Sequence, residues 1–279
     1  MTAGAGSFIE QVAAQANLFD AVLSVDAPGG AVALSSLAMA VLFRRAGIEA
    51  IAQFSGRDRN RLALQSDILG LGALGIPNLL VDMRPVVRAS LAQNADARLI
   101  TDLDGPALLA TAVRMRDEAS FISGASIKKP PALYVGALFS LDEQVQISAY
   151  VPFSQMSEAS RESGVSGCIS ITALSSAQFV VTLPVYDAHH FAATLAAFQV
   201  AHPDFLQTRP LIVSLPLFTD SPVESTMAPS EARETGVQHV TSAIEVLKGL
   251  DGICGFNIIV GKQADLALLG QIVAKARVK

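Results

Sequence analysis

The sequence predicts an α/β fold of the (β/α)8 TIM-barrel type, formed as a single domain over residues 1–279. Three observations support this prediction. Short apolar runs alternate with longer helix-like segments, most of these runs are apolar on both faces, and seven or eight such units follow one another. Strands buried on both faces are typical of parallel sheets covered by helices, and repeated strand–helix units favour a barrel.

Seven short apolar segments are predicted to be strands, because they are rich in Val, Ile and Leu. They are residues 21–26, 50–55, 78–83, 132–138, 178–184, 210–216 and 255–260. Residues 97–102 are a weaker strand candidate. Residues 145–151 are another, and could form a hairpin insert.

Helices are predicted to follow most of these strands, at residues 34–46, 60–74, 104–120, 188–201, 229–249 and 263–277, and a further helix is predicted from Ser7 to Asn17. Asp104 stands before Gly105-Pro106 and is predicted to cap its helix, with the proline inside the first turn. The Ser-rich residues 154–176 are expected to form an irregular insertion, and residues 219–230 a long loop.

Composition excludes several classes of protein. The 279 residues are 51% hydrophobic and 16% charged, with 20 Lys and Arg against 25 Asp and Glu. This composition excludes a disordered chain, and the net charge of −5 argues against nucleic-acid binding. The mean hydropathy of +0.44 favours a deeply buried sheet or an apolar oligomer interface. No segment is expected to span a membrane or to serve as a signal peptide, and we expect a cytoplasmic protein.

Two cysteines, Cys168 and Cys254, exclude a disulfide scaffold and a four-thiolate metal site. Both are predicted to be small buried residues rather than nucleophiles. His189 and His190 face different directions on a helix, and no carboxylate lies at ligand spacing, so no metal site is expected. The sequence contains no Gly-x-Ser-x-Gly elbow, no Gly-x-Gly-x-x-Gly after an early strand and no Walker A motif.

Polar residues stand at or just after the carboxyl ends of the predicted strands, where a barrel builds its active site. A buried core does not require charges at these positions. The set comprises Asp26, Gln53, Ser55, Arg57, Asp58, Asp82, Arg84, Asp102, Thr182, Asp187 and Asn257.

The densest part of this set is the segment 56–61, which reads Gly-Arg-Asp-Arg-Asn-Arg. Its arginines can bind a phosphate or a carboxylate in bidentate fashion. Alternatively the segment is a capped helix start with solvated charges, in which Asp58 or Asn60 caps the helix.

Other members of the set also have two interpretations. Asp26 forms an Asx-turn with the Pro-Gly-Gly that follows, or it binds a ligand. Asp82 and Arg84 pair with each other, or they face a ligand. Thr182 could point into the mouth of the barrel, whereas Asp187 is predicted to cap the helix that begins at Ala188.

Residues 53–83 read QFSGRDRNRLALQSDILGLGALGIPNLLVDM. This stretch resembles the methylenetetrahydrofolate reductase family, and most closely its short bacterial branch with "RDRN", "LQSDLLG" and "GI-N-L". Residues 25–28, 101–104 and 179–187 extend the resemblance, the last being similar to the family's "F-x-Q-T-Q-P-x-F-D".

The resemblance implies a (β/α)8 barrel that reduces 5,10-methylenetetrahydrofolate to 5-methyltetrahydrofolate with NADH or NADPH, in most members through FAD. It implies that Asp26, Gln53, Ser55 and the Asp82–Arg84 strand end line the cofactor mouth, that Tyr134 lies where the family contacts flavin, and that Thr182 lies beside the pterin. Arg57 and Asp102 complete the predicted cofactor set, and Leu183 and Asp187 the substrate set.

The chain departs from the family at its catalytic residues. A helix-like segment leads into the family's second strand, so the first strand, with its acidic glutamate, is missing or atypical. Arg84-Pro85 stand where the family has Gly-Asp. Val181 and Leu183 stand at two family glutamines, of which the second grips the pterin. Asp82 and Arg84 are therefore the predicted catalytic residues, with Asp82 replacing the displaced aspartate.

Three functions follow. The first is hydride transfer between NAD(P)H and the folate one-carbon unit, with tetrahydrofolate derivatives as substrate. The second is a non-catalytic folate-binding or structural subunit that pairs with a reductase or methyltransferase. The third is a barrel for another small anion, held by Arg57, Arg59 and Arg84. A homo-oligomer or a partner subunit is expected to cover the open barrel edge.

Overall fold

The computed structural model describes residues 2–26, 32–84, 100, 102–141, 171–217, 229–260 and 263–276. Within these ranges the chain is an α/β protein with seven strands and eight α-helices. In chain order they are α1 (Thr2–Ala13), β1 (Val22–Ser24), α2 (Ser36–Arg45), β2 (Ala50–Phe54), α3 (Arg61–Ala73), β3 (Asn78–Asp82), α4 (Gly105–Asp117), β4 (Tyr134–Phe139), α5 (Ile171–Leu174), β5 (Phe179–Pro184), α6 (Ala188–Ala201), β6 (Leu211–Pro216), α7 (Pro229–Leu247), β7 (Ile253–Ile259) and α8 (Leu269–Ala276).

Two compact units divide the chain. In the described ranges the first unit contains β1 to β4 with α2 to α5, and the second contains α1, β5 to β7 and α6 to α8. The prediction of a single domain stays a prediction.

The first unit is a parallel sheet in the order β1-β2-β3-β4. Its register pairs Gln53 with Leu80 and Asp82 with Leu138. Parallel neighbours bring their carboxyl ends to one edge, so the residues that follow β1, β2 and β3 lie along that edge.

The strands of this sheet are buried on both faces. Phe54, Leu80 and Phe139 are fully buried, and so are Leu64 of α3 and Leu108 of α4 on the helices that cover the sheet. The continuous apolar runs of the sequence reflect this cover, because most residues of β2, β3 and β4 are buried on both faces.

Side-chain caps begin the helices of the first unit. The Asn60 Oδ1 atom accepts a hydrogen bond from the Ala63 N–H at 2.9 Å, and Asp104 Oδ1 accepts from the Ala107 N–H at 2.9 Å. The cap at Asp104 is confirmed, and of the two cap candidates before α3 the structure selects Asn60. Such caps satisfy N–H groups that the first turn of a helix leaves without partners.

The second unit is a parallel sheet in the order β5-β6-β7. The register shifts between Val181 and Pro184 in β5, and again between Leu211 and Ile212 in β6. Helix α6 packs against α7, and α7 packs against α8. Phe191, Leu195 and Phe198 form the buried face of α6.

All seven predicted strands and all six predicted strand-following helices are confirmed, the last helix as a 3-10 helix (Gln263–Leu268) that continues into α8. The N-terminal helix is α1, followed by a 3-10 helix (Ala16–Leu18). The weaker strand candidate 145–151 lies outside the described residues, as do all but Ile100 and Asp102 of the candidate 97–102. Most of the predicted insertion 154–176 and of the predicted loop 219–230 also lies outside them.

Candidate functional site

Charged residues gather at the carboxyl edge of the first unit's sheet. Asp26 follows β1, a run of residues from Ser55 to Arg61 follows β2, and Asp82 and Arg84 end β3. The described part of the edge contains four Asp–Arg ion pairs made by non-adjacent residues, namely Arg59–Asp26, Arg59–Asp67, Arg61–Asp102 and Arg84–Asp82. We call this group the carboxyl-edge cluster.

Asp82 is the most heavily bonded member of the cluster. Its carboxylate accepts hydrogen bonds from the Arg84 backbone N–H at 3.0 Å, from Arg84 Nε at 2.9 Å and from Arg84 Nη2 at 2.6 Å. Gln53 Nε2, on the neighbouring strand, donates to Asp82 Oδ2 at 3.3 Å. Of the two interpretations, mutual pairing of Asp82 and Arg84 is therefore the one the structure shows. Four N–H donors leave this carboxylate little capacity for a ligand.

The two polar atoms of the Gln53 amide differ, because Nε2 donates a hydrogen bond to Asp82 and Oε1 is bonded by no described residue. Among the described residues its side chain bonds only Asp82, although Gln53 is only 3% exposed. Its Oε1 atom is not among the fully buried side-chain N and O atoms that lack a hydrogen-bond partner, which in the described part of the chain are Ser36 Oγ and Arg114 Nε. With respect to the described residues, the Gln53 oxygen is open to water or to a ligand.

Asp26 and Asp67 share Arg59. Arg59 Nη2 lies 3.0 Å from Asp26 Oδ1, Arg59 Nη1 lies 3.1 Å from Asp67 Oδ2, and the guanidinium stacks over the Phe54 ring at 5.4 Å. Burial raises the pKa of the Asp26 carboxyl above its ordinary value, although the Arg59 charge opposes the rise. Asp26 therefore holds a proton more readily than an exposed aspartate does.

The loop after β2 is held by the segment that precedes α4. Asp58 has φ = 60°, in the left-handed region, and its N–H donates to the Ile100 carbonyl at 3.0 Å. A side chain on Gly56 would come within 1.9 Å of the Leu103 carbonyl oxygen. Ser55 Oγ accepts from the Arg57 N–H at 3.0 Å, so Ser55 shapes the same turn.

Asp102 and Arg57 are also engaged within the protein. Asp102 Oδ2 accepts from the Arg61 backbone N–H at 3.1 Å, at the start of α3. Arg57 Nε lies 3.5 Å from Asp58 Oδ2. Asp102 therefore links the segment before α4 to the start of α3. Its carboxylate satisfies a helix N–H group that would otherwise need water or a ligand.

Tyr134 is not brought together with the cluster. It is the first residue of β4 and pairs with Asn78 at the amino end of β3, four residues or ~13 Å of strand away from Asp82. Its hydroxyl donates to the Gln178 carbonyl at 3.2 Å. Tyr134 therefore lies at the amino edge of the sheet, opposite the carboxyl-edge cluster.

The predicted substrate residues Thr182, Leu183 and Asp187 belong to the second unit. Thr182 is buried, and its Oγ1 atom accepts from the Ser214 N–H at 2.9 Å, where the ladder between β5 and β6 shifts its register. Leu183 is half-buried. Asn257, another polar strand residue, donates from Nδ2 to Ser214 Oγ at 3.0 Å.

Asp187 is exposed and caps α6, as predicted. Its Oδ1 atom accepts from the His189 and His190 backbone N–H groups, both at 2.9 Å. The bond from His190, and then that from His189, lowers the pKa of the Asp187 carboxyl. This carboxylate is thus committed to the helix start.

One sequence expectation is wrong: Cys254 is exposed rather than buried. The reason is that β7 is covered less than β6 beside it, since six of its seven residues are half-exposed. Cys168 lies outside the described residues. No group of three or more His, Cys, Asp or Glu residues suited to a metal ion occurs in the described ranges.

The sequence patterns did not predict two contacts at this edge of the sheet. Asp67 lies within α3 and receives Arg59, and the Gln53 amide bonds Asp82 across two strands. The spacing of Asp67, eight residues after Arg59, carries no recognisable signal. Gln53 and Asp82 stand at the ends of consecutive predicted strands, and this placement could have suggested their contact.

Comparison with known proteins leaves the chain without an assigned family. No protein-family model matches it, and no curated protein sequence matches it. In the described part of the chain, none of the helices combines the length and the apolar character needed to cross a membrane.

Proposed function

We propose that this chain is a methylenetetrahydrofolate reductase-type oxidoreductase on a (β/α)8-type barrel. In the reaction, NAD(P)H gives a hydride to the one-carbon bridge of 5,10-methylenetetrahydrofolate, the bond from that carbon to N10 breaks, and N10 takes a proton. The observation that carries the proposal is the gathering of Asp26, Gln53, Asp82 and Arg84 at one edge of parallel strands. Catalytic residues of barrels come from this edge.

The residues at this edge fit part of an FAD isoalloxazine. Gln53 Oε1, in a residue only 3% exposed, accepts from none of the described residues, which suits an N–H group of a flat heterocycle. Gln53 of β2, with Asp26 after β1 and with Ser55 and Arg57 in the loop after β2, would hold the flavin. When bound, FAD supplies a two-electron carrier between the nicotinamide and the folate. Tyr134, at the opposite edge of the sheet, takes no part in this proposal.

Asp26 is the acid of the cluster best suited to deliver the proton. Its raised pKa keeps a proton on the carboxyl at a higher pH than an exposed aspartate would, because burial disfavours the charged form. The Asp82 carboxylate already accepts hydrogen bonds from Arg84 and Gln53. In this proposal it affects a ligand by positioning these two side chains. Asp26 therefore takes the role that the family's glutamate holds on the first strand.

An activity assay tests the proposal. Purified protein is given methylenetetrahydrofolate with NADH or NADPH, with and without added FAD, and nicotinamide oxidation is followed by absorbance. We expect turnover in the wild type and a loss of about 10²–10⁴-fold in Asp26→Asn, the usual contribution of a positioned acid. Asp117→Asn, which breaks the Arg116–Asp117 pair of α4, is the control and should keep full activity. A folded wild type without turnover under any of these conditions contradicts the proposal.

A second function, a non-catalytic folate-binding subunit, has its own support. Leu183 offers no hydrogen bond where the resemblance calls for a pterin-binding glutamine. Calorimetric titration with tetrahydrofolate distinguishes the two functions: binding without turnover, together with recovery of turnover on adding a co-purifying partner protein, favours the subunit. Size measurement of the same sample tests whether the chain forms a homo-oligomer.

A further inference from the structure

The Gln53 amide has a fixed orientation. An aspartate carboxylate paired with a guanidinium only accepts hydrogen bonds, so the amide group of Gln53 that faces Asp82 must be its NH2. Arg84 binds the same carboxylate through three N–H groups and holds it in place. The amide oxygen of Gln53 is therefore directed away from Asp82.

The buried Gln65 and the half-buried Gln178 of the first unit differ from Gln53. Gln65 donates from Nε2 to the Arg61 carbonyl at 2.8 Å and accepts at Oε1 from the Ile122 N–H at 2.9 Å. Gln178 accepts at Oε1 from Arg116 and from the Val135 N–H. Their oxygens serve the fold, whereas no described residue donates to the Gln53 oxygen. An acceptor held in one orientation, in a residue only 3% exposed, is available to a ligand.

We propose that Asp82 is a positioning residue, which orients Gln53 so that Gln53 Oε1 accepts a hydrogen bond from the N–H of a ligand's amide edge. The ligand class is a flat heterocycle that carries a ring N–H beside a carbonyl, a chemistry that flavins and pterins share. This inference rests on the proposed function and adds the atom that selects the ligand. A ligand with an acceptor or a methyl group at that position would leave the Gln53 oxygen desolvated without a partner.

Ring N-methylation provides the test. The affinities of the full-length protein for FAD and for tetrahydrofolate are each compared with those of the N3-methyl analogue, by fluorescence and calorimetric titration. We expect the wild type to prefer the N–H form by roughly tenfold or more in one of the two arms, the usual weight of a buried hydrogen bond. The arm that shows the preference identifies the heterocycle.

Variants connect the preference to the two residues. Gln53→Met removes the acceptor at similar volume and should abolish the preference. Asp82→Asn lets the Gln53 amide turn and should reduce it, while Asp117→Asn breaks an arginine pair that is equally short, 2.6 Å, and should leave it unchanged. If Gln53→Met does not fold, Asp82→Asn still decides the outcome.

Three results would overturn the inference. Equal affinities of the wild type for the N–H and N-methyl forms contradict it while leaving the proposed function intact. A preference that persists at full size in Gln53→Met or in Asp82→Asn also contradicts it. A folded wild type that binds neither heterocycle overturns the inference and the proposed function together.

Discussion

Among the described residues, the aspartates and arginines at the carboxyl ends of the first unit's strands pair with one another, whereas the polar strand residues of the second unit are neutral and Asp187, which follows β5, caps α6. After β1 to β3 the side chains are aspartates and arginines, bound to one another in ion pairs. In β5 to β7 the corresponding polar residues are Thr182, Ser214 and Asn257, which bind one another and the backbone. The same kind of position in the sequence, a polar residue at a strand end, thus has two different uses.

The polar residues of the second unit complete the hydrogen bonding of the sheet, whereas those of the first unit are the candidates for binding a ligand. Thr182 Oγ1 receives the Ser214 N–H at an irregular point of the ladder, so its hydroxyl completes a sheet hydrogen bond. The carboxyl-edge cluster, in contrast, lies beside the Gln53 amide oxygen, to which no described residue donates, and includes Asp26, an aspartate of raised pKa. Perturbed carboxyl groups and unused acceptors favour a functional site at the first unit's edge.

The largest effect is expected from Gly105→Ala, which strains the charged edge. A side chain at Gly105 would lie 2.5 Å from Met83 Cα and 2.8 Å from the Asp82 carbonyl oxygen, both backbone atoms that cannot yield cheaply. We expect a loss of about 3 kcal/mol or more in the free energy of unfolding, measured by chemical denaturation. Gly70→Ala in α3, whose side chain meets only an ordinary contact at 3.5 Å, is the control and should be neutral or stabilising. Equal stability of the two variants would contradict the close packing at β3.

The neutral edge is tested by Thr182→Val, which keeps the side-chain shape and removes the hydroxyl. The Ser214 N–H then loses its acceptor in a buried position, and we expect unfolding to become easier by about 1–3 kcal/mol. Thr182→Ser, which retains the acceptor, should be less affected. If Thr182→Val instead keeps its stability and loses folate affinity, Thr182 belongs to the ligand site and the contrast between the two edges fails.

Asp26 makes the stability of the protein depend on pH. Because burial raises its folded pKa above the ordinary 3.8, the folded state binds this proton more tightly than the unfolded state does. The resulting stabilisation is complete below the unfolded pKa and is lost as the pH rises through the folded pKa. We expect Asp26→Asn to remove this component from the pH profile of the unfolding free energy. A variant profile parallel to that of the wild type would show that Asp26 does not titrate in this way.

The smallest effect is expected at the helix cap beside the cluster. Asp104→Ala removes the acceptor of the Ala107 N–H and should lower the free energy of unfolding by about 1 kcal/mol. Asp104→Ser retains a capping oxygen and should recover most of that loss. Thermal unfolding of the three proteins side by side measures this difference, and an alanine variant as stable as the wild type would show that the cap is dispensable.

Strands and helices could be predicted because their signals are local. The apolar runs such as 78–83 and the cap at Asp104 depend on residues close together in sequence. The family resemblance placed Tyr134 at the cofactor site. Its position early in the predicted strand 132–138 indicated instead that it lies at the amino end of that strand. The exposure of Cys254 depends on how well β7 is covered, which its own residues do not reveal.

The choice of ion-pair partners could not be predicted from sequence. Arg59 pairs with Asp26, 33 positions away, as well as with Asp67, and the pairing of β1 with β2 and the place of Asp67 on α3 bring both within reach. The sequence identifies the charged segment after β2, and the fold decides that its arginines face aspartates of the same protein. For the same reason the hydroxyl of Thr182 could not be assigned to the sheet ladder before the register shift was known.

Hydrogen–deuterium exchange with and without 5-methyltetrahydrofolate tests most directly whether the carboxyl-edge cluster is the ligand site. Mass spectrometry of peptides covering residues 50–61 and 78–84 reports on that edge, and a peptide covering residues 211–217 reports on the neutral edge. We predict slower exchange in the first two peptides when ligand is present and an unchanged rate in the third. Ligand protection confined to the third peptide, or binding that protects neither of the first two, would contradict the account.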